Sequence, residues 1–292
     1  MEMEGGSASI RSSRTGVHAT AVRRTIRHME TRLDRKVDLD ELAAVACMSP
    51  CHYLRVFRGL TGIPPARFLG ILRLQLAKEL LIKTERPVLD IALDVGYASL
   101  GTFTSRFAQL VGMSPARFRE TYLAIGRRGA AAIHSPPSRA AETASGARFH
   151  GRIDHAERNV ILFVGLFNSP IPQDVPLSCM MLADGAHFSL SVPDGPGPFH
   201  LLGVALKRTS AEGMFDNRGL IAGVCACGPL RATDVSIPLE LRLRALDLLD
   251  PPILVAFPML MHMRMTGDSG AAVEDGAIES RVSNTAIAEV VP

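Results

Sequence analysis

Tryptophan is absent from the 292-residue chain, aromatic residues make up 5% of it, and cysteine occurs only five times. An odd, small number of thiols in a chain this long does not build a disulfide framework. Cys47 and Cys51 lie four apart and Cys225 and Cys227 two apart, but neither pair has partners at zinc-site spacing. The thiols therefore read as inert, and no metal or other cofactor is expected. Long apolar runs are missing as well. The longest, near 253–263, is broken by Pro258 and falls short of the roughly 18 residues that a membrane span needs. Residues 1–16 have no apolar core of the secretory-leader type. The expectation is a soluble cytoplasmic protein without membrane contact. Nor is there a large excess of charge of one sign: the formal net charge is +3. With 47% hydrophobic and 21% charged residues, a wholly disordered chain is excluded.

The small total charge conceals two unlike halves. Residues 1–139 hold 21 Lys and Arg against 12 Asp and Glu, a net +9, whereas residues 140–292 hold 11 against 17, a net −6. A basic half suits a polyanion, and an acidic companion is one that does not stick to it.

Composition divides the chain further. Residues 1–16 (Gly, Ser and Arg), 126–148 (Ala, Gly, Ser, Pro and Arg) and 266–292 (Gly, Asp, Ser and Glu) have little to bury, and read as an unstructured arm, a linker and a tail. Between them lie two structured regions, 17–125 and 149–265.

The first region is patterned as helix throughout. Val22, Ile26, Met29 and Leu33 form one stripe, and Phe68, Ile71, Leu74, Ala77 and Leu81 another on a long helix starting at Pro65. Ser49-Pro50 and Ser114-Pro115 read as helix starts. The second region changes period. Leu239, Leu241, Leu243 and Ala245 alternate with charged residues, as a half-buried strand does, and 187–192 alternate too. Short apolar runs at 159–167, 201–206 and 220–225 complete the picture of a mostly-β, sandwich-like domain.

The basic half also contains a repeat. Residues 57–68 read FRGLTGIPPARF and residues 107–118 read FAQLVGMSPARF, with seven of the twelve positions identical at an offset of 50. Each copy has a short helix (39–46; 89–95), a tight turn and a serine-capped second helix (50–60; 100–111). Gly96 supplies positive φ for the second turn. This is a helix-turn-helix written twice and joined by the long helix at 65–83. Two such units reach successive major-groove segments roughly 34 Å apart.

The motifs LDELAAVACMSPCHYLRVFRGLTG (39–62), RFLGILRLQLAKELL (67–81) and VLDIALDVGYASLGTFTSRFAQLVGMSPARFR (88–119) resemble those of the AraC/XylS family of bacterial transcription regulators. The resemblance covers about a third of the chain. It implies seven helices, double-stranded DNA as partner, no enzymatic activity, and recognition helices near 50–60 and 99–111. Carried over position by position, the outward, base-contacting residues are Cys51, Leu54 and Arg55 in the first helix and Leu100, Gly101, Thr104 and Ser105 in the second. Tyr53, Phe57, Phe103 and Phe107 fall inward as core. Arg55 is the strongest base reader, because a guanidinium pairs bidentately with guanine O6 and N7. Arg58, Arg73, Arg106 and Arg117, with the helix starts at Ser49 and Ser99, are candidates for phosphate contact. The second helix departs from the family pattern. Leu100, Gly101 and Ser105 offer few hydrogen bonds to base edges, which points to thymine-methyl contact, phosphate contact or shape readout.

The domain order also departs from the family's usual one, since the DNA-binding unit comes first. RNA polymerase, a small-molecule effector and a second copy of the chain remain open as further partners. The segment 192–204 (VPDGPGPFHLLGV) resembles the turn-and-strand pattern of transthyretin-like sandwiches. No nucleophile setting accompanies His187, His200 or His262, and Asp184, Asp194 and Asp216 sit in turn-forming contexts. The alternative reading is a sensor or interaction protein whose β domain is the functional part and whose helical half is a weak DNA tether.

Overall fold

The computed structural model describes residues 5–128, 146–154, 160–169, 176–182, 187–192, 194–195, 197–207 and 220–255. The expected tail, most of the expected linker, and Asp184, Asp216 and His262 lie outside the described residues. The helical half comprises α1 (Gly5–Glu30), α2 (Leu39–Ala46), α3 (Pro50–Thr61), α4 (Pro65–Lys83), α5 (Val88–Asp94), α6 (Leu100–Val111) and α7 (Pro115–Arg128). The seven expected helices are present. Helix α1 starts at Gly5, within the stretch read from composition as an unstructured arm. Once a helix is nucleated by the buried stripe Val22, Ile26 and Met29, each added residue gains a hydrogen bond, and Ser, Ala and Arg do not stop it.

The repeat is a structural duplication down to single hydrogen bonds. In the first turn, Cys47 N–H donates to Ala44 O at 3.0 Å and Met48 N–H to Ala43 O at 3.0 Å. In the second, Gly96 N–H donates to Leu93 O at 2.9 Å and Tyr97 N–H to Ala92 O at 3.0 Å. Each recognition-type helix then ends on a left-handed glycine, Gly62 at φ 79° or Gly112 at φ 95°. The aromatic cores repeat as well. Tyr53, Phe57 and Phe68 stack edge to face at 5.5 Å steps, and their counterparts Phe103, Phe107 and Phe118 stack at 5.6 Å steps.

The two turns nevertheless differ in what they tolerate. Cys47 holds a left-handed backbone at φ 56° without being glycine, a conformation costing about 1 kcal/mol for a residue with a Cβ. Gly96, at φ 81°, has no room for one: a Cβ there would stand 2.4 Å from the Leu33 carbonyl oxygen and 2.8 Å from the Arg73 guanidinium. Cys47→Gly is therefore expected to stabilise the chain by up to about 1 kcal/mol, and Gly96→Ala to destabilise it by about 2–3 kcal/mol. Urea melts of the two variants check both signs.

The second half forms two sheets. Strands β1 (Arg148–Asp154), β4 (His187–Ser191) and β7 (Leu239–Arg242) make one sheet in the order β4-β1-β7. Strands β2 (Val160–Phe167), β3 (Ser178–Leu182), β5 (Phe199–Lys207) and β6 (Leu220–Leu230) make the other, in the order β3-β2-β5-β6. Neighbours are antiparallel except β1 and β7, which run parallel. The sheets enclose a core that includes Phe149, Ile153, Leu190 and Leu241 from one and Leu162, Val164, Leu166 and Leu201 from the other. Phe163, Phe167, Met181, Leu202 and Val204, on the opposite face of the larger sheet, join the core of the helical half. Strand β2 is thus covered on both faces, which is why its sequence, VILFVGLF, is apolar without alternation.

Candidate nucleic-acid interface

Helices α3 and α6 are each built with one packed face and one open face. In α3, Tyr53, Phe57 and Thr61 follow a four-residue period and are buried. The Tyr53 hydroxyl donates to Thr25 Oγ1 at 3.0 Å, and burial pushes its pKa up to about 12. In α6 the matching residues are Phe103, Phe107 and Val111. The four aromatic residues expected in the core are all fully buried.

The opposite faces carry the predicted contact residues. On α3, Cys51, Leu54, Arg55 and Arg58 are exposed. On α6, Leu100, Gly101, Ser105 and Arg106 are exposed and Thr104 is half-buried. Leu54 and Leu100 are large apolar side chains left 39% and 40% exposed on these faces. Arg55 and Arg58 form no ion pair or hydrogen bond among the described residues, unlike most arginines of the helical half. Arg106 donates to a neutral side chain, Gln109 Oε1, at 3.1 Å.

The two helix starts differ. Ser99 Oγ accepts from Thr102 N–H at 3.3 Å and so caps α6, while Ser49 makes no side-chain cap to α3. Two other arginines on the expected phosphate-contact list are drawn inward. Arg117 is half-buried. Arg73 Nη2 donates to the Arg35 carbonyl at 2.7 Å, which ties the α1–α2 loop to α4 beneath Gly96. Nothing about spacing separated Arg73 from the outward arginines, because its partner is a backbone carbonyl 38 residues away.

A cluster of charge holds α2 against α1. Glu41 accepts from Arg35 Nη2 at 2.6 Å and Nη1 at 3.2 Å, and faces His28 Nε2 at 2.6 Å. The Arg35 guanidinium first, and His28 second, hold the Glu41 carboxyl down to about 2. The folded pKa lies below the ordinary 4.5. The stabilisation is therefore present above that value and lost as pH falls from about 4.5 towards 2. Melting temperature followed against pH should show a steeper acid decline in wild type than in Glu41→Gln over that window.

In the β half, His187, His150 and Arg152 line a hollow of about 440 Å³ beside Glu240, and Arg152 pairs with Glu240 at 2.9 Å. Among the described residues no group of three His, Cys, Asp or Glu is placed to hold a metal, and no helix is long and apolar enough to cross a membrane.

Comparison with known proteins places the helical half. Residues 42–121 match the family model described as "Helix-turn-helix domain". The chain is 32% identical over 92 residues to a probable transcriptional regulator, LumQ, of Photobacterium leiognathi, covering 32% of this chain and 37% of that one. It is 39% identical over 83 residues to an uncharacterized HTH-type transcriptional regulator of Haemophilus influenzae, covering 28% of each. Among solved structures, it is similar to the C-terminal domain of AraT, a response regulator from Geobacillus stearothermophilus. The match has 30% identity over 35% of this chain and 84% of that one, with a TM-score of 0.33. The chain spans well under half the length of the curated relatives it matches. The duplicated turns, the paired aromatic cores and the family match agree: residues 42–121 are a helix-turn-helix domain of the AraC type.

Proposed function

We propose that the protein is a cytoplasmic, sequence-specific DNA-binding transcription regulator and not an enzyme. Helices α3 and α6 enter successive major grooves on one face of the duplex, and the C-terminal β half modulates that binding. The observation that carries this reading is the pair of matching open faces. Both helices are packed on one side by residues at the same four-residue period, and both leave the other side exposed among the described residues. Arg55 reads a guanine, with Leu54 and Cys51 against neighbouring bases. Leu100, Gly101, Thr104 and Ser105 give α6 close approach and apolar contact with thymine methyls. Arg58 and Arg106, with the amides at the starts of α3 and α6, contact phosphates, and Arg117 supports them. Arg73 acts as an internal tie.

Selection of random duplex DNA by the full chain tests the reading. Enrichment of a defined motif supports it. Binding without enrichment, fading with salt alone, is what a nonspecific tether gives and would overturn it.

A further inference from the structure

Helix α4 joins the two helix-turn-helix units, and most of its circumference is covered. Phe68, Leu69, Ile71, Leu72, Leu74, Ala77 and Leu81 point in every direction from its axis, and all are buried. A helix with apolar residues on every side needs partners on every side. The two units supply some of them. Others come from the far end of the chain: residues 246–255, which follow β7, lie against the helical half. Ile253, Leu254 and Val255 are buried in the same cluster as Leu74, Ala77 and Leu81, and Leu246, Leu248 and Leu249 pack against it.

Polar contacts fix this segment in place. Lys78, fully buried near the middle of α4, donates from Nζ to the Ile253 carbonyl at 3.3 Å. Arg23 of α1 grips Asp247 with both prongs, at 2.7 and 3.2 Å. Asp247 in turn accepts from Leu249 N–H at 2.9 Å. Arg244 and Asp250 pair through two bonds of 2.6 Å, and Asp250 accepts from Asp247 N–H at 2.7 Å. The segment is therefore stiffened on the side of β7 and anchored on the side of α4.

Two features of α4 are poorly explained if it only needs covering. Leucine at position 78 would fill space without burying an ammonium, whose pKa is pushed down by desolvation to about 8. Gln75, one turn earlier on the same side, is buried with neither amide atom hydrogen-bonded among the described residues. Both groups are better off hydrated, so the covered state of α4 is held against an opposing term. An interface balanced in this way is one that can open.

We propose that residues 246–255 form a strap whose docking on α4 sets the relative position of α3 and α6, so that the β half controls how well the chain engages two half-sites at once. In this arrangement Lys78, Arg23 and Asp247 are positioning residues. They touch no DNA, and the reading faces of α3 and α6 stay exposed with the strap in place. The strap's effect on DNA rests on the DNA-binding function proposed above; its effect on α4 does not.

The test uses the full chain, in two arms. The first needs no DNA. Amide hydrogen exchange is followed by mass spectrometry in wild type, Leu254→Asp, Arg23→Glu and the charge-swapped pair Arg23→Glu with Asp247→Arg. The expected result is exchange at least tenfold faster over residues 74–81 in Leu254→Asp, about threefold faster in Arg23→Glu, and slower in the swapped pair than in Arg23→Glu, though short of wild type because position 247 no longer accepts from Leu249 N–H. Amides of α3 should change less than twofold. The swapped pair keeps the test decisive even where Leu254→Asp fails to fold. In the second arm the same proteins bind a duplex selected by wild type and, separately, one half of it. Leu254→Asp should lose at least tenfold on the whole duplex and less than twofold on the half. Arg23→Glu should show a smaller loss in the same sense, partly restored in the swapped pair. Unchanged exchange over 74–81 in the folded variants, or equal losses on whole and half sites, would overturn the strap. If wild type selects no duplex while the exchange pattern appears as expected, the strap stands and the DNA-binding function falls.

Discussion

Phe107→Ala lowers the stability of the helical half by about 3–5 kcal/mol, the cost of removing a fully buried phenylalanine. Phe107 has no exposed surface and stands between Phe103 and Phe118, with ring centroids 5.6 Å away on either side. Its own α6 and the start of α7 meet there through Phe103 and Phe118, and the turn before α6 joins the same stack through Tyr97, whose ring stands against Phe103 at 5.3 Å. Losing the ring leaves a cavity among aromatics that are too rigid to close over it. Leucine at the same position keeps most of the volume and should cost under about 1.5 kcal/mol. Urea denaturation followed by circular dichroism separates the two variants. The first unit has its own ladder, Tyr53, Phe57 and Phe68, so Phe57→Ala should match Phe107→Ala to within about 1 kcal/mol. Equal costs at positions 50 residues apart are what a structural duplication predicts.

Arg55→Ala costs about 1–3 kcal/mol of specific DNA affinity and relaxes discrimination at a single base position. The side chain is exposed on the open face of α3, one helical turn from Cys51, and no carboxylate or carbonyl among the described residues competes for it. A bidentate guanine contact depends on the planar fork, so Arg55→Lys should recover charge but not discrimination. Competition of single-base variants of the selected duplex against each protein gives the answer. A uniform loss over all sequences would instead make Arg55 a phosphate clamp. The stability of the chain should be nearly unchanged by either substitution, since the side chain is exposed and has no hydrogen-bond or ion-pair partner among the described residues.

The helical half was largely legible in the sequence because its signals are local. Proline at first-turn positions marked the starts of α3, α4 and α7, the starts read at 39 and 100 for α2 and α6 agree with the structure, and the observed ends of α3 and α5 differ from the reading by one residue. The inward and outward faces of α3 and α6 were carried over residue by residue from the family resemblance, and the burial of Tyr53, Phe57, Phe103 and Phe107 agrees with the inward set. Two left-handed turns were harder. Gly96 announces one, but Cys47 adopts the same conformation with nothing in its residue type to signal it. In the β half, β2, β4, β5, β6 and β7 lie on the expected stretches, although β7 ends at Arg242 rather than continuing through Ala245. Strands β1 and β3 were missed. In β1 the inward position between Phe149 and Ile153 is Gly151, which breaks the visible alternation. There a Cβ would meet the Leu239 carbonyl oxygen at 2.2 Å, so the glycine is required by the close approach of β7. The strap was invisible for a different reason. Residues 253–255 opened the longest apolar run, but what they pack on is a helix 175 residues earlier in the chain, and no local pattern encodes that. Lys78 likewise carries no local signal of burial, since its partner is the Ile253 carbonyl in the same distant segment.

The proposed function requires two recognition helices acting together on one face of the duplex. The measurement that tests it most directly is the spacing of conserved positions within the duplexes selected by the full chain. The expected result is two short half-sites whose centres lie about 10–10.5 base pairs apart, with a fixed spacer. A single uninterrupted half-site, or two whose spacing varies freely from one selected duplex to the next, would contradict it.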